Sequence, residues 1–227
     1  MINVALVGNP NSGKTTIFNA LTGARQRVGN WPGVTVEKKS GHFEAAGQQI
    51  NLTDLPGIYS LAEVGSGLDE RIARDYLASD EVDLAINIVD ASSLSRGLYL
   101  TSELQALDVP VIVVVNMIDV AAREGHEVDT ERLAEQLGCP VVGVIATKHH
   151  GVDRIKAVLD DAAKLKPFAT GDDLTRYAQI DALVADCVSE TKAIKASWSE
   201  RLDDIVLNRY LAFPLFLLVM YTMFLIS

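Results

Sequence analysis

Two cysteines, Cys139 and Cys187, are all that the 227 residues contain. No disulfide framework can hold such a chain, which excludes a small cross-linked secreted module. Aromatic residues are scarce at 6%, but hydrophobic residues reach 48%, enough to bury a sizeable core and to exclude wholesale disorder. Basic residues are also in deficit: 20 Lys and Arg face 30 Asp and Glu, a net charge of −10. That field repels polyphosphate backbones, so no nucleic-acid partner is expected. The first eight residues carry neither a basic n-region nor a long apolar h-region, and a reducing, cytoplasmic setting is the expectation. There is no internal repeat and no low-complexity tract, and the length allows one full domain with a small appendage.

Charge is missing altogether from residues 210–227. The run falls just short of the ~20 apolar residues that a bilayer-spanning helix needs, and it is read as a truncated first transmembrane helix. A buried C-terminal helix is the alternative, but such a helix usually keeps a polar face, and here every face is apolar.

Short apolar runs at residues 2–7, 50–53, 83–89, 111–115 and 141–145 alternate with helical patterns. Residues 85–89 and 111–115 are nearly continuous in apolar side chains, as strands covered on both faces of a parallel sheet must be. The fold expected is doubly wound α/β. Residues 36–44 are polar and lead into the strand at 50–53, which reads as one antiparallel edge strand. Asp129 is placed to cap a helix that ends at Gly138, and residues 152–165 carry helical spacing. A linker at 167–173 precedes two short helical stretches, 174–188 and 199–210. The domains expected are residues 1–166, a reduced helical segment at 167–209, and the apolar tail at 210–227.

Gly8-Asn9-Pro10-Asn11-Ser12-Gly13-Lys14-Thr15 matches G-x-x-x-x-G-K-[ST] between the first strand and a helix that begins at Thr16. In that setting backbone N–H groups wrap phosphates, Lys14 reaches the β and γ oxygens, and the Thr15 hydroxyl is a Mg²⁺ ligand. Asp54-Leu55-Pro56-Gly57 follows a strand; Asp54 would reach Mg²⁺ through water, and the Gly57 N–H would face the γ-phosphate. Asn116-Met117-Ile118-Asp119 closes the strand at 111–115, at the carboxyl edge where open α/β sheets bind ligands. Asp119 can accept from the N1 and N2 donors of guanine, which adenine lacks. Ala146-Thr147-Lys148 ends the next strand and offers a backbone N–H to the guanine O6.

Four such motifs, in this order at four strand ends, resemble the small P-loop GTPases of the translation-factor-like class. The segment VGNWPGVTVE at 28–37, the DLPGIYSL run at 54–61, NMID at 116–119 and DDIVLNRYL at 203–211 narrow the resemblance to the FeoB family of bacterial ferrous-iron transporters, over nearly the whole chain. The resemblance implies a GTP-hydrolysing cytoplasmic domain on the inner membrane, attached to its own membrane-spanning domain, with GTP and GDP as ligands and Mg²⁺ and K⁺ as cofactors. Self-association stays open. Within Gly33-Val34-Thr35, the threonine would be the switch I residue that coordinates Mg²⁺. Asn11 would help hold K⁺ together with switch I carbonyls near Gly29 and Trp31. The catalytic group is then Lys14, Thr35, Gly57 and Asn11. Members of the family carry a substantial helical domain after the G domain; here only 174–188 and a short following stretch answer to it, so the nucleotide-release role of that domain is not carried over.

His149 and His150 are read as loop residues, and both cysteines as small buried hydrophobes. Other functions share the motif order: an RNA-associated GTPase, which the acidic charge disfavours, and a binding switch with negligible turnover. Ile58 stands where many GTPases place the glutamine that orients water, and no arginine occurs between positions 28 and 51 to serve as a finger. Arg25, on the loop leaving the first helix, is taken as the nearest one, and a cation other than arginine is expected.

Overall fold

The structure is a computed structural model that describes residues 1–23, 26–45, 47–61, 67–107, 109–162, 168–169, 171–190 and 220–224. In chain order the elements are β1 (Ile2–Gly8), α1 (Lys14–Thr22), β2 (Gln26–Asn30), β3 (Glu37–Ala45), β4 (Gln48–Asp54), α2 (Leu68–Leu77), β5 (Leu84–Asp90), α3 (Leu94–Leu104), β6 (Val111–Asn116), α4 (Ile118–Arg123), β7 (His126–Val128), α5 (Thr130–Leu137), β8 (Val141–Gly143), α6 (Val152–Ala157), α7 (Asp173–Cys187) and β9 (Val188–Glu190).

Seven strands form one sheet in the order β2-β3-β4-β1-β5-β6-β8. Its centre is parallel: Val4 pairs with Leu52 on one side and Leu84 on the other, and Ile86 pairs with Ile112. All six residues of β6 are buried, and on β5 only Asp90 is not, because helices cover both faces. On one face Leu77, Leu98, Leu133 and Ile180 bring in α2, α3, α5 and α7. On the other, Ile17, Phe18 and Ile155 bring in α1 and α6.

β3 runs antiparallel to the rest, as its polar sequence suggests, and pairs with β4 through Gly41 and Leu52. It is not the outermost strand. β2 pairs outside it, with all five residues exposed; a strand without a buried face leaves no alternation to read. The two-stranded β7–β9 sheet, with His126 opposite Glu190, escapes the sequence for the same reason. The helix expected over 152–165 is shorter: α6 stops at Ala157, followed by a 3₁₀ turn over Leu159–Asp161. Asp160 and Asp161 oppose the helix dipole at that end. Asp129 does cap α5, accepting from the Glu131 and Arg132 N–H groups, and Gly138 closes it at φ 73°.

Residues 1–191 are one compact unit and 192–227 another. The helical stretch expected at 199–210 lies outside the described residues, as does most of the apolar tail. Of that tail, residues 220–224 are helical, with Tyr221, Met223 and Phe224 exposed. Among the described residues no helix is long and apolar enough to cross a membrane.

Candidate functional site

The loop from Gly8 to Gly13 runs from the buried end of β1 into α1. Asn11 and Gly13 take left-handed backbone at φ 65° and 86°, and this turns the chain so that α1 starts at Lys14. Gly13 has no space for a side chain: a Cβ there would lie 2.1 Å from the Asn116 amide nitrogen. Asn9 and Ser12 are buried, and the Asn9 amide atoms and the Ser12 Oγ have no partner. Buried polar atoms without partners cost about 1–3 kcal/mol each, and here they surround the loop that the motif assigns to phosphates.

Lys14 and Asp54 form a buried ion pair, Nζ to Oδ1 at 2.5 Å. Burial pushes the Asp54 carboxyl up from its ordinary range, while the Lys14 charge and hydrogen bond pull it back only in part. The DLPG segment is fixed to the first strand by its backbone: Leu55 N–H donates to the Leu6 carbonyl at 3.0 Å and Ile58 N–H to that of Gly8 at 3.3 Å. Gly57 rests on Pro10, where an added Cβ would be 3.3 Å from the Pro10 backbone. Ile58 is fully buried and packs in the core, so it faces no solvent from which to act on water. A cavity of about 570 Å³ is lined by Asn9, Pro10, Asn11, Gly13, Lys14, Thr15, Thr16, Gly57 and Met117. A smaller one, about 220 Å³, shares Lys14 and Gly57 with it and is lined also by Asp54, Leu55 and Pro56.

Asn116 ties the two ends of this site together. Its Nδ2 donates to the Ser12 carbonyl at 3.0 Å, and its Oδ1 accepts from the Ala146 N–H at 3.1 Å. The Gly8–Gly13 loop and the Ala146–Thr147 loop are thus held by one buried side chain. Met117 follows in left-handed backbone at φ 61° and opens α4, which carries Asp119. The Asp119 carboxylate accepts from the Lys148 ammonium at 3.0 Å. Desolvation is the largest single influence and works against ionisation, but the hydrogen bond and charge of Lys148, with the Arg123 charge, together outweigh it and hold Asp119 below the usual carboxylate range. Lys148 is thus a site residue the sequence reading quoted without assigning a role; its signal was its place after Ala146 and Thr147.

The switch I residues are not brought to these cavities. Gly33 and Thr35 are exposed between β2 and β3, and Val34 packs on the core. None of the three lines either cavity. Trp31, buried, packs edge-on to Tyr76 of α2 at 5.1 Å, with the Lys38 ammonium 4.5 Å above its ring. The Trp31 backbone N–H donates to the Val36 carbonyl, which closes the β2–β3 hairpin. Arg25 lies outside the described residues; Arg27, the arginine nearer to switch I in sequence, is exposed on β2. Glu37, at the end of the 28–37 segment, lines the cavity beside Asp54, as do Lys39 and Asp69, which no motif singled out.

The donor set suits a magnesium nucleotide. Mg²⁺ takes hard oxygen ligands and keeps several waters, and the Thr15 hydroxyl on one cavity and the buried Asp54 carboxylate on the adjoining one are such oxygens. The unpartnered Asn9 and Ser12 atoms are groups that a polyphosphate and its water shell satisfy.

Solved structures and curated proteins resemble this chain. The cytosolic domain of L. pneumophila FeoB is 39% identical, covers 83% of this chain and all of its own, and superimposes with a TM-score of 0.76. The cytosolic domain of the T. maritima FeoB iron transporter in its GMPPNP form is 30% identical over 84% of this chain and all of its own, with a TM-score of 0.73. The Fe(2+) transporter FeoB of Escherichia coli (strain K12) is 38% identical over 296 residues, which take in the whole of this chain and 38% of that protein. The chain therefore spans well under half the length of such relatives. Because the match is longer than the 227 residues here, the relatives carry residues within it that this chain lacks. A family model described as Ferrous iron transport protein B matches residues 2–159, and with the relatives' identity over the full chain this establishes that the chain belongs to the ferrous iron transport protein B family.

Proposed function

We propose that this chain binds GTP with Mg²⁺ and hydrolyses it to GDP and phosphate, and that the turnover serves ferrous iron uptake by the membrane-spanning part of the same protein at the bacterial inner membrane. The observation that carries the reading is the Asn116 brace. One buried side chain fixes the distance between the phosphate loop and the loop at Ala146, so base and phosphates are measured by a single rigid unit.

The residues divide the work. The N–H groups of residue 9 and residues 11–15, Pro10 having none, and the N-terminus of α1 cradle the phosphates. Lys14 would exchange its bond to Asp54 for the β and γ oxygens, leaving the Asp54 carboxylate as one of the groups that would hold Mg²⁺. Thr15, and Thr35 once switch I folds inward, supply ligand oxygens, and Gly57 donates its N–H to the γ-phosphate. Bound Mg²⁺ neutralises charge on the phosphate oxygens. At the other end Asp119 accepts from the guanine N1 and N2 donors, held ionised by Lys148. Asp119→Asn is expected to weaken GTP binding by about 1.5–3 kcal/mol and to strengthen binding of xanthosine triphosphate, whose C2 carbonyl suits an amide. Competition of each triphosphate against a fluorescent GDP analogue measures this; equal binding of ATP and GTP by the parent chain would sink the assignment.

Potassium is the second part of the proposal. Asn11 lines the phosphate cavity and offers a neutral oxygen, which suits a weakly hydrated monovalent ion. The carbonyls at residues 29 and 31 belong to the β2–β3 hairpin, and what supports the potassium reading is the neutral Asn11 oxygen on the cavity lining. Hydrolysis is expected to be about tenfold faster in K⁺ than in Na⁺ at equal ionic strength, a difference of about 1.4 kcal/mol in the barrier. In Asn11→Ala the difference disappears while GDP affinity is kept. Equal rates in both salts for the parent would return Asn11 to a turn-forming role.

A further inference from the structure

Glu103 stands where local rules disfavour it. It lies in the last turn of α3, where a carboxylate meets the negative end of the helix dipole. Burial pushes its carboxyl up from the ordinary range, although its hydrogen bonds work against the shift. A helix end of this kind would be more stable with an uncharged or basic residue. Violations of local preference of this sort gather at functional positions.

What the carboxylate touches gives the reason. Its Oε1 accepts from the Ser60 hydroxyl at 2.8 Å, and its Oε2 accepts from the Leu61 N–H at 2.7 Å. On the other side of the same segment, Arg74 of α2 donates to the Leu61 carbonyl at 3.3 Å. The chain directly after DLPG is therefore clamped between two helices. Ile58 is already bonded to Gly8, so the segment from Gly57 to Leu61 is held at both ends, by the phosphate loop and by Glu103.

We propose that Glu103 is a positioning residue for GTP hydrolysis, which holds Ser60 and Leu61 so that the Gly57 N–H keeps its place over the phosphate loop. The inference rests on the reading of Gly57 given above. GDP has no γ-phosphate to meet Gly57, so the clamp acts on turnover and not on GDP binding. Arg74 from α2, Arg96 from α3, and Asp173 and Arg176 from α7 line the cavity of about 780 Å³ around Glu103. Arg176 draws the Glu103 proton off and Asp173 holds it, so α7 is in electrostatic contact with the clamp.

The test uses the 227-residue chain and single-turnover hydrolysis of GTP. Glu103→Leu keeps helix propensity and removes a carboxylate from the negative end of α3. It is expected to lower the hydrolysis rate at saturating GTP by at least about tenfold, with GDP affinity within twofold of the parent and thermal stability no lower. Glu103→Gln can still accept from Leu61 N–H and donate to Ser60 Oγ, and is expected to stay within about threefold of the parent. A parental rate in Glu103→Leu overturns the proposal, as does a rate that falls only together with GDP affinity and stability. If Glu103→Leu does not fold, Glu103→Asp decides: its carboxylate is one methylene too short for both bonds, and a parental rate there overturns the proposal equally. A fully active Gly57→Ala would remove the reading of Gly57 itself, whatever Glu103 does.

Discussion

Gly13→Ala should leave a folded chain that binds neither GTP nor GDP at concentrations where the parent is saturated. Two costs arise together. At φ 86° an alanine occupies left-handed backbone, worth roughly 1–2 kcal/mol against an L-residue. Its Cβ would also lie 2.1 Å from the Asn116 Nδ2, a distance at which something must move. The loop can bulge, which spoils the phosphate cradle, or Asn116 can swing away and leave the Ser12 carbonyl and the Ala146 N–H without their partner. Each of those is a buried group worth about 1–3 kcal/mol when orphaned. The sum is on the order of 4 kcal/mol, or about 10³ in affinity. Titration with a fluorescent GDP analogue reads the loss, and far-ultraviolet circular dichroism checks that the sheet survives. Affinity within tenfold of the parent would show that the Asn116 brace does not set the loop's shape.

The same contact explains how much of this protein was legible in its sequence. β5 and β6 could be read because a strand buried on both faces must be apolar throughout, and Leu84–Asp90 and Val111–Asn116 obey that rule. The loop from Gly8 to Gly13 could be read as the turn from β1 into α1 because its spacing fixes backbone geometry, not side-chain partners. Asn116 could be placed at the edge of the sheet, but not as a brace: its two bonds reach Ser12, 104 positions away, and Ala146, 30 positions away. Glu103 was invisible for a related reason. Nothing in LYLTSELQAL marks one glutamate as the acceptor of a segment more than 40 residues earlier. β2 failed on different grounds, since its five exposed residues carry no pattern and it exists through pairing with β3. Switch I shows a further limit. The resemblance names Thr35 as a ligand, but the loop that carries it is anchored by Trp31 against Tyr76 of α2 and Lys38 of β3, contacts that no local pattern announces.

Lys14→Met should lower GTP turnover by about 10²–10³-fold, the usual effect of removing one donor from a developing negative charge, and it should also change how stability depends on pH. Lys14 and Asp54 are each over nine-tenths buried and paired with each other. Without the ammonium, Asp54 keeps its burial and loses the largest influence that lowers its pKa. Breaking a buried pair in this way costs roughly 3–5 kcal/mol at a pH where the survivor must be ionised. The sign follows from the direction of the shift. Asp54 already sits above its unfolded value in the parent, and further above it in the variant, so the folded state binds the proton more tightly than the unfolded chain does. For such an acid, stability is highest below the unfolded pKa and is lost as pH rises towards the folded one. The gap in melting temperature between parent and Lys14→Met should therefore be wide at pH 7.5 and narrow at pH 5, measured without nucleotide or metal. Adding Asp54→Asn to Lys14→Met removes the unpaired charge and should close most of the gap at pH 7.5 while leaving turnover lost. A gap that stays constant between the two pH values, or a double variant no more stable than Lys14→Met alone, would mean that Asp54 finds another partner or water once the lysine is gone.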